Sequence, residues 1–423
     1  MANFLEKLHH LLRDNNLRKR ILFVLGALVI FRLLAAIPVP GIGSSSLASF
    51  LNTNQFLGLL NIFSGGGLSN LSIVMLGVSP YITATIIMQL LTMVFPRLKE
   101  MYHEEGEVGR KKFSQYSRML TIPLAIVQGI GLIALLNSQG ILPTLPIFQK
   151  IVTLIVITAG SVLLMWIGEL INEFGIGNGT SLIIFSGIVA GLPAIIGQTV
   201  FTFELGKLPL YLFFLIAVLL VVAGVVLVTE AERPIPVTYA KRVRGMKMYG
   251  GQSTYLPLRL NQAGVIPIIF ALSILLFPQM LGNLLANSTI GIIQLLHSAI
   301  NFIVGNQVVY GILYFILVFV FTYFYTAITF DPQATSENLQ KSGAFIPGTR
   351  PGAHTATYLS SVVTRLTTFG ALFLGVIAVL PIIMQGLTGI ASLAIGGTGL
   401  LIVVSVVIDL VKQLDSQLSI REY

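Results

Sequence analysis

Cysteine is absent from the 423 residues, which excludes a disulfide framework, thiolate metal sites and a cysteine nucleophile. Charge is scarce: Asp, Glu, Lys and Arg together make up 10% of the chain, against about a quarter in an average soluble domain. A water-facing surface of ordinary composition cannot be built from it, so a soluble enzyme is excluded as the default. The length would suggest about three soluble domains, a prior that lapses once most apolar surface faces lipid. The five histidines (His9, His10, His103, His297 and His354) are scattered among termini and loops. Neither a GxxxxGK[ST] phosphate loop nor an HExxH metal motif occurs. Gly175, Gly177 and Gly179 resemble a fragment of a nucleotide loop, but no strand precedes them to support that reading. A cluster of intramembrane acids that could bind a coupling ion is also missing. Glu169 and Asp409 lie near the cytoplasmic ends of their apolar runs. Arg32 lies near an outer end, where a long side chain can snorkel to the interface.

What the chain does have is apolar length. Hydrophobic residues make up 55% of it and the mean hydropathy is +0.89. Runs of about 20 such residues cross a hydrocarbon core as helices, and ten are read: 21–38, 73–95, 119–136, 151–171, 182–200, 210–228, 262–281, 308–328, 362–385 and 393–411. The shorter stretch Ile290–Val304 carries Gln294, His297 and Asn301 and reads as a surface or re-entrant helix. The 25 Lys and Arg sort almost wholly to alternate connections: 22 fall on one side, Lys150 and Lys207 on the other, and Arg32 within the first span. By the positive-inside rule both termini are cytoplasmic, which requires an even number of spans. The basic N-terminus before Ile21–Phe31 also resembles a signal peptide, but nine further spans and the lack of a clean cleavage site oppose it.

Two internal features bear on function. Between Leu33 and Pro96 no residue is charged, and the outer connection there carries Phe56, Leu57, Leu59, Leu60, Ile62 and Phe63, then Gly65, Gly66 and Gly67, then Leu68, Leu71 and Ile73. Such a segment either folds back into a cavity, where irregular backbone is tolerated, or lies on the outer surface as a short amphipathic helix. The second feature is a repeat. Gly77-Val78-Ser79-Pro80-Tyr81-Ile82 aligns with Gly264-Val265-Ile266-Pro267-Ile268-Ile269, in the second and seventh spans, which run in opposite directions. Equivalent proline-interrupted helices in the two halves are the mark of an inverted repeat. Ile82, Ile86, Ile266 and Ile269 are ordinary packing residues or, if they converge, an apolar constriction that gates by dewetting.

Two cytoplasmic loops are longer than connections need to be. About 229–261 holds Lys241, Arg242, Arg244 and Lys247 near Tyr239 and Tyr249, and about 329–361 holds Gly343, Phe345, Pro347, Gly348, Arg350, Pro351 and Gly352. Basic residues interleaved with aromatics suit RNA contacts and equally suit anionic lipid headgroups. The glycines and prolines of the second loop predict a defined protruding turn.

FRLLAAIPVPGI, GVSPYITATIIMQLL, EEGEVGRKKFSQYSR, WIGELINEFGIGNGTS, AGVIPIIF and GAFIPGTRPG occur in this order. Together they identify the chain as resembling the SecY/Sec61-alpha family, the central subunits of protein-conducting channels. The resemblance implies an all-α membrane protein with ten transmembrane helices in two inverted-repeat halves of five, 1–205 and 206–423, around a central pore. It implies a bacterial plasma-membrane channel that passes unfolded secretory chains and releases membrane segments sideways, with no enzymatic activity. The implied pore ring is Ile82, Ile86, Ile184, Ile188, Ile269 (with Ile266 as a further candidate) and Ile402. The implied plug runs from about Leu57 to Leu71 and includes Phe63, Gly65, Gly66, Gly67 and Leu68. Thr85, Gln89 and Gln128 would be polar members of the lateral gate. Lys241, Arg242, Arg244, Lys247 and Arg350 would dock the SecA motor or the ribosome, although Gly245 is followed by Met246 and Lys247 where relatives can carry a basic pair. Implied partners are the small subunits SecE and SecG, SecA, the ribosome, preproteins and signal peptides, YidC, SecDF and anionic lipids. The alternative from the residues alone is a secondary transporter of a small solute.

Overall fold

The computed structural model describes residues 14–40, 61, 64–138, 140, 142, 146–201, 206, 208–239, 242–244, 247–249, 253–285, 291–388 and 391–419. The helices are α1 Asn15–Ala36, α2 Ser79–Val94, α3 Pro96–His103, α4 Gly106–Ser138, α5 Ile147–Phe174, α6 Gly179–Phe201, α7 Leu208–Glu230, α8 Ile266–Leu285, α9 Gly291–Gly305, α10 Gln307–Thr329, α11 Pro332–Lys341, α12 Ala353–Thr388 and α13 Ala391–Ser419. Each of the ten predicted spans falls on one of them, and the stretch at 290–304 falls on α9.

Among the described residues, four helical runs are long and apolar enough to cross a membrane by themselves: Gly106–Asn137, Ile147–Phe174, Gln307–Lys341 and Ala353–Met384. The pair Ser79–Val94 and Pro96–Tyr102 makes a fifth, bent by 116° at the break. The break has a cause: Phe95 is held extended before Pro96, which cannot continue a helix but starts a new one. Shorter apolar helical stretches among the described residues are Gly179–Pro193, Leu215–Glu230 and Ile266–Leu275, and α1 carries charge at Arg18, Lys19, Arg20 and Arg32.

The chain packs as two compact units. One comprises Met1–Phe213, Leu272–Tyr310 and Pro381–Tyr423, the other Phe214–Ala271 and Gly311–Leu380. In the first unit α4 packs on α2 and α5, α5 on α6, and α6 on α13. Arg118 of α4 and Glu169 of α5 meet at 2.5 Å, so an acid read only as a span-end residue ties two helices together. The corner between α5 and α6 explains the Gly175, Gly177, Gly179 run. A Cβ on Gly179 would overlap the backbone carbonyl of Gly168, and the Gly179 amide donates to Asn172 Oδ1 at 2.7 Å. The glycine serves a helix crossing rather than a phosphate. Gly179→Ala is therefore expected to destabilise the protein by about 1–3 kcal/mol, read as a lowered thermal midpoint in detergent; an unchanged midpoint would show that the corner can relax.

The second unit holds the β-structure that composition did not announce. β1 Glu232–Tyr239 pairs antiparallel with β4 Ser253–Arg259, from Glu232↔Arg259 to Thr238↔Ser253, and with β5 Ala344–Phe345 through Thr238↔Phe345 and Tyr239↔Ala344. The order is β4-β1-β5. The two long loops, read above as separate, thus contribute to one sheet. Its inner side buries Ile235, Val237, Leu258, Ala344 and Ile346 against Leu359, Val362 and Val363 of α12. β1 carries Pro234 and Pro236, which such a short sheet accepts because β5 covers only two of its residues. β2 Arg242–Arg244 and β3 Lys247–Tyr249 form a second, two-stranded ribbon.

Candidate functional site

The repeated motif has the same backbone in both places. Gly77 has φ +60° and Gly264 φ +61°, left-handed values that glycine adopts without strain. Two residues later a helix begins, α2 at Ser79 and α8 at Ile266, with proline as its second residue. Ile82 N donates to Val78 O at 3.0 Å, and Ile269 N to Val265 O at 3.3 Å. The prolines therefore start these helices rather than interrupt them as predicted, because a proline in the first turn forfeits no intrahelical bond. The predicted span from 73 is helical only from 79. The correspondence also separates two candidates: Ile269 stands where Ile82 does, five residues after the glycine, whereas Ile266 stands where Ser79 does. Ile269 is buried and Ile266 only partly so.

In the first unit Ile82 and Ile86 are buried on α2, Ile184 and Ile188 on α6, and Ile402 on α13. A Cβ on Gly399 of α13 would lie 3.1 Å from Ile188 Cγ2, so the small residue lets α13 close on α6 at that isoleucine, one turn from Ile402 on the same face.

The described part of the uncharged connection ahead of α2, residues 64–78, is mostly buried. Leu68, Leu71, Met75 and Leu76 form a core cluster with Val39 and with Leu132, Ile133, Leu135 and Leu136 of α4, so this part of the segment folds back into the protein. It runs as consecutive turns whose backbone groups are satisfied locally: Gly66 N to Asn61 O at 2.8 Å, Leu68 N to Ser64 Oγ at 3.0 Å, Ser69 N to Asn61 Oδ1 at 2.9 Å and Ser72 N to Gly67 O at 2.8 Å. That accounting lets irregular backbone sit away from water. Two further bonds stitch it to the chain after α1, Val39 N to Leu71 O at 2.9 Å and Ile73 N to Ile37 O at 3.0 Å. Phe63 and the stretch 57–60 lie outside the described residues.

At Gly65 this segment meets two helices. A Cβ there would collide with the Phe31 ring of α1, and one on Gly187 of α6 would collide with Gly65 itself. Arg32 Nη1 donates to Gly65 O at 2.6 Å, and Asn70 Nδ2 to Ala35 O at 3.3 Å. Arg32, read above as snorkelling to the interface, is exposed and also turns its guanidinium to a backbone carbonyl of its own chain. Phe31, Arg32, Gly187 and Asn70 were not recognised as site residues. The only available signal was the FR pair ending the first span.

The polar residues of α2 have local duties. Thr85 Oγ1 donates to Tyr81 O at 2.9 Å, and Gln128 Nε2 of α4 donates to Thr83 Oγ1 at 3.3 Å. Gln89 Oε1 is buried with no hydrogen-bond partner among the described residues.

In the second unit Arg350 is exposed in a turn set by Gly343, Gly348 and Gly352, all with positive φ. Thr349 N donates to Ile346 O at 3.1 Å and Thr355 Oγ1 to Arg350 O at 2.9 Å. The ribbon register, Arg242↔Tyr249 and Arg244↔Lys247, puts positions 242, 244, 247 and 249 on one face by the two-residue period. Lys241 lies outside the described residues.

A SecY sequence profile matches residues 72–411. The protein translocase subunit SecY of Mycobacterium bovis is 44% identical over 435 residues, covering 97% of each chain. A solved SecY, described by the role of its plug domain in stabilising the closed translocation channel and maintaining a membrane seal, aligns with TM-score 0.62 at 19% identity, covering 96% of this chain and 93% of that one. Sec61 in a canine ribosome-channel complex aligns with TM-score 0.60 at 17% identity, with the same coverage. Identity and coverage along nearly the whole length leave one conclusion: the chain belongs to the SecY family.

Proposed function

We propose that this chain is the protein-conducting subunit of a bacterial plasma-membrane translocase, passing unfolded polypeptides through a ring of isoleucines and releasing apolar segments sideways. The observation that carries the reading is the juxtaposition in the first unit: a buried, glycine-rich segment seated by Gly65 on Gly187, the residue next to Ile188, which α13 approaches at Gly399. Family membership supports it. Ile82, Ile86, Ile184, Ile188, Ile269 and Ile402 form the ring in this reading, with Ile266 displaced from it by the repeat correspondence. Residues 57–71 are the plug. Thr85, Gln89 and Gln128 are the polar members of the lateral gate in this reading, with Gln128 of α4 also bonded to Thr83 of α2.

The physics suits the task. A translocating chain presents every type of side chain, so a polar site would trap some of them. Aliphatic side chains bind none strongly and exclude ions by dewetting. A segment of about 20 apolar residues then leaves into lipid on its own burial energy. Both termini are cytoplasmic in this reading, and the two halves are 1–205 and 206–423. Arg242, Arg244, Lys247 and Arg350 dock SecA or the ribosome, and SecE and SecG complete the channel, with YidC, SecDF and anionic lipids as further contacts. The test is import: vesicles holding the chain with SecE and SecG, given SecA and ATP, should carry an unfolded preprotein to protease protection. Gradient-driven uptake of a small solute without protein import would favour the transporter instead.

A further inference from the structure

The arrangement at Gly65 described above contains a charge with no role assigned in conduction, docking or topology. Arg32 is the last basic residue of α1, and its Nη1 reaches Gly65 O at 2.6 Å, a short bond of the charge-assisted kind. A Cβ on the same glycine would meet both the Phe31 ring and the Gly187 backbone. Three neighbouring groups thus converge on one peptide: a cation on its oxygen, an aromatic ring against its α-carbon and a second glycine that allows backbone to touch backbone. The Arg32 head is also close to Gly66, whose added Cβ would stand 3.7 Å from Nη1.

We propose that Arg32 is the positioning residue of the seal, a latch on α1 that holds the plug shut by gripping the Gly65 carbonyl. The proposal rests on the sealing role given to residues 57–71 above. The acceptor is main-chain, so the grip does not depend on plug side chains and tolerates a varied plug sequence provided residue 65 stays small. It is a single bond at the end of a long flexible side chain, so it can be released ahead of the packing of Leu68, Leu71 and Met75. Because α1 carries the donor and α6 the opposing glycine, any movement that separates these two helices withdraws both supports together. Gly65, Gly66 and Gly67 then let the segment swing away without backbone strain.

The test is resting ion conductance in planar bilayers of the full chain purified with SecE and SecG. Four forms are compared: unaltered, Arg32→Leu, a deletion of residues 64–70, and the two changes combined. The expected result is that Arg32→Leu conducts at rest by about tenfold or more over the unaltered channel, as loss of one charge-assisted bond implies. The combined form should conduct no more than the deletion alone, and Arg32→Lys, which keeps a donor, should fall between Arg32→Leu and the unaltered channel. A silent Arg32→Leu beside a leaking deletion would overturn the latch and leave the seal standing. A combined form leakier than the deletion would also overturn it, by showing that Arg32 acts elsewhere. A silent deletion would overturn the sealing role and the latch with it. Should Arg32→Leu not purify as a monodisperse complex, Arg32→Gln takes its place in all comparisons.

Discussion

Replacing Ile82 and Ile188 with serine is expected to raise the resting ion conductance by about tenfold or more, while preprotein import continues. Both side chains are buried at closely packed positions, Ile82 in the first turn of α2 and Ile188 where α13 meets α6. Removing a buried isoleucine forfeits about 1.5–3 kcal/mol of apolar burial, and the hydroxyl gives water a partner, so the region wets and conducts. Import survives because no chemical step is altered. Single-channel recording decides the point. A conductance equal to that of the unaltered channel would mean that these isoleucines are packing residues and that ions are excluded elsewhere.

Arg350→Glu is expected to reduce SecA-driven import by about thirtyfold or more, the scale of a charged hot spot, while folding and membrane insertion stay normal. The prediction follows from how the residue is mounted. Its side chain is exposed, so charge reversal leaves no buried charge unpaired. Its backbone is fixed by Thr355 and by glycines at 348 and 352, and β5 joins the turn to the sheet of β1 and β4 over a buried core. A charge held on a rigid platform loses little entropy on docking. Initial import rates at matched channel density measure the effect, with the thermal midpoint as control. Equal rates would remove Arg350 from the docking surface.

How far the sequence revealed this molecule depended on the kind of interaction. Helical spans were legible because about 20 apolar residues admit few other structures in lipid, and all ten fell on helices. The Gly77 and Gly264 motifs were legible as a repeat because a left-handed glycine followed by a helix-starting proline leaves a local signature; the function of the proline was misjudged because initiation and interruption look alike in one dimension. The sheet was missed. β1 and β5 lie more than 100 residues apart, and only tertiary pairing makes the dipeptide Ala344–Phe345 a strand. The Arg32 bond was missed for a similar reason: its partner is a backbone carbonyl, and a carbonyl has no sequence identity. The bond from Gln128 to Thr83 of the neighbouring helix was not legible either, being a matter of rotamer rather than pattern.

The central claim is that a translocating chain passes between the isoleucines assigned to the ring. The chain has no cysteine, so a single one placed at Ile82, Ile188 or Ile402 reports without background. A secretory chain arrested midway, carrying one cysteine in its spanning stretch, should form a disulfide crosslink at all three positions and at none placed on the exposed Leu220 of α7. Crosslinks at Leu220 with none at the three isoleucines would contradict the account.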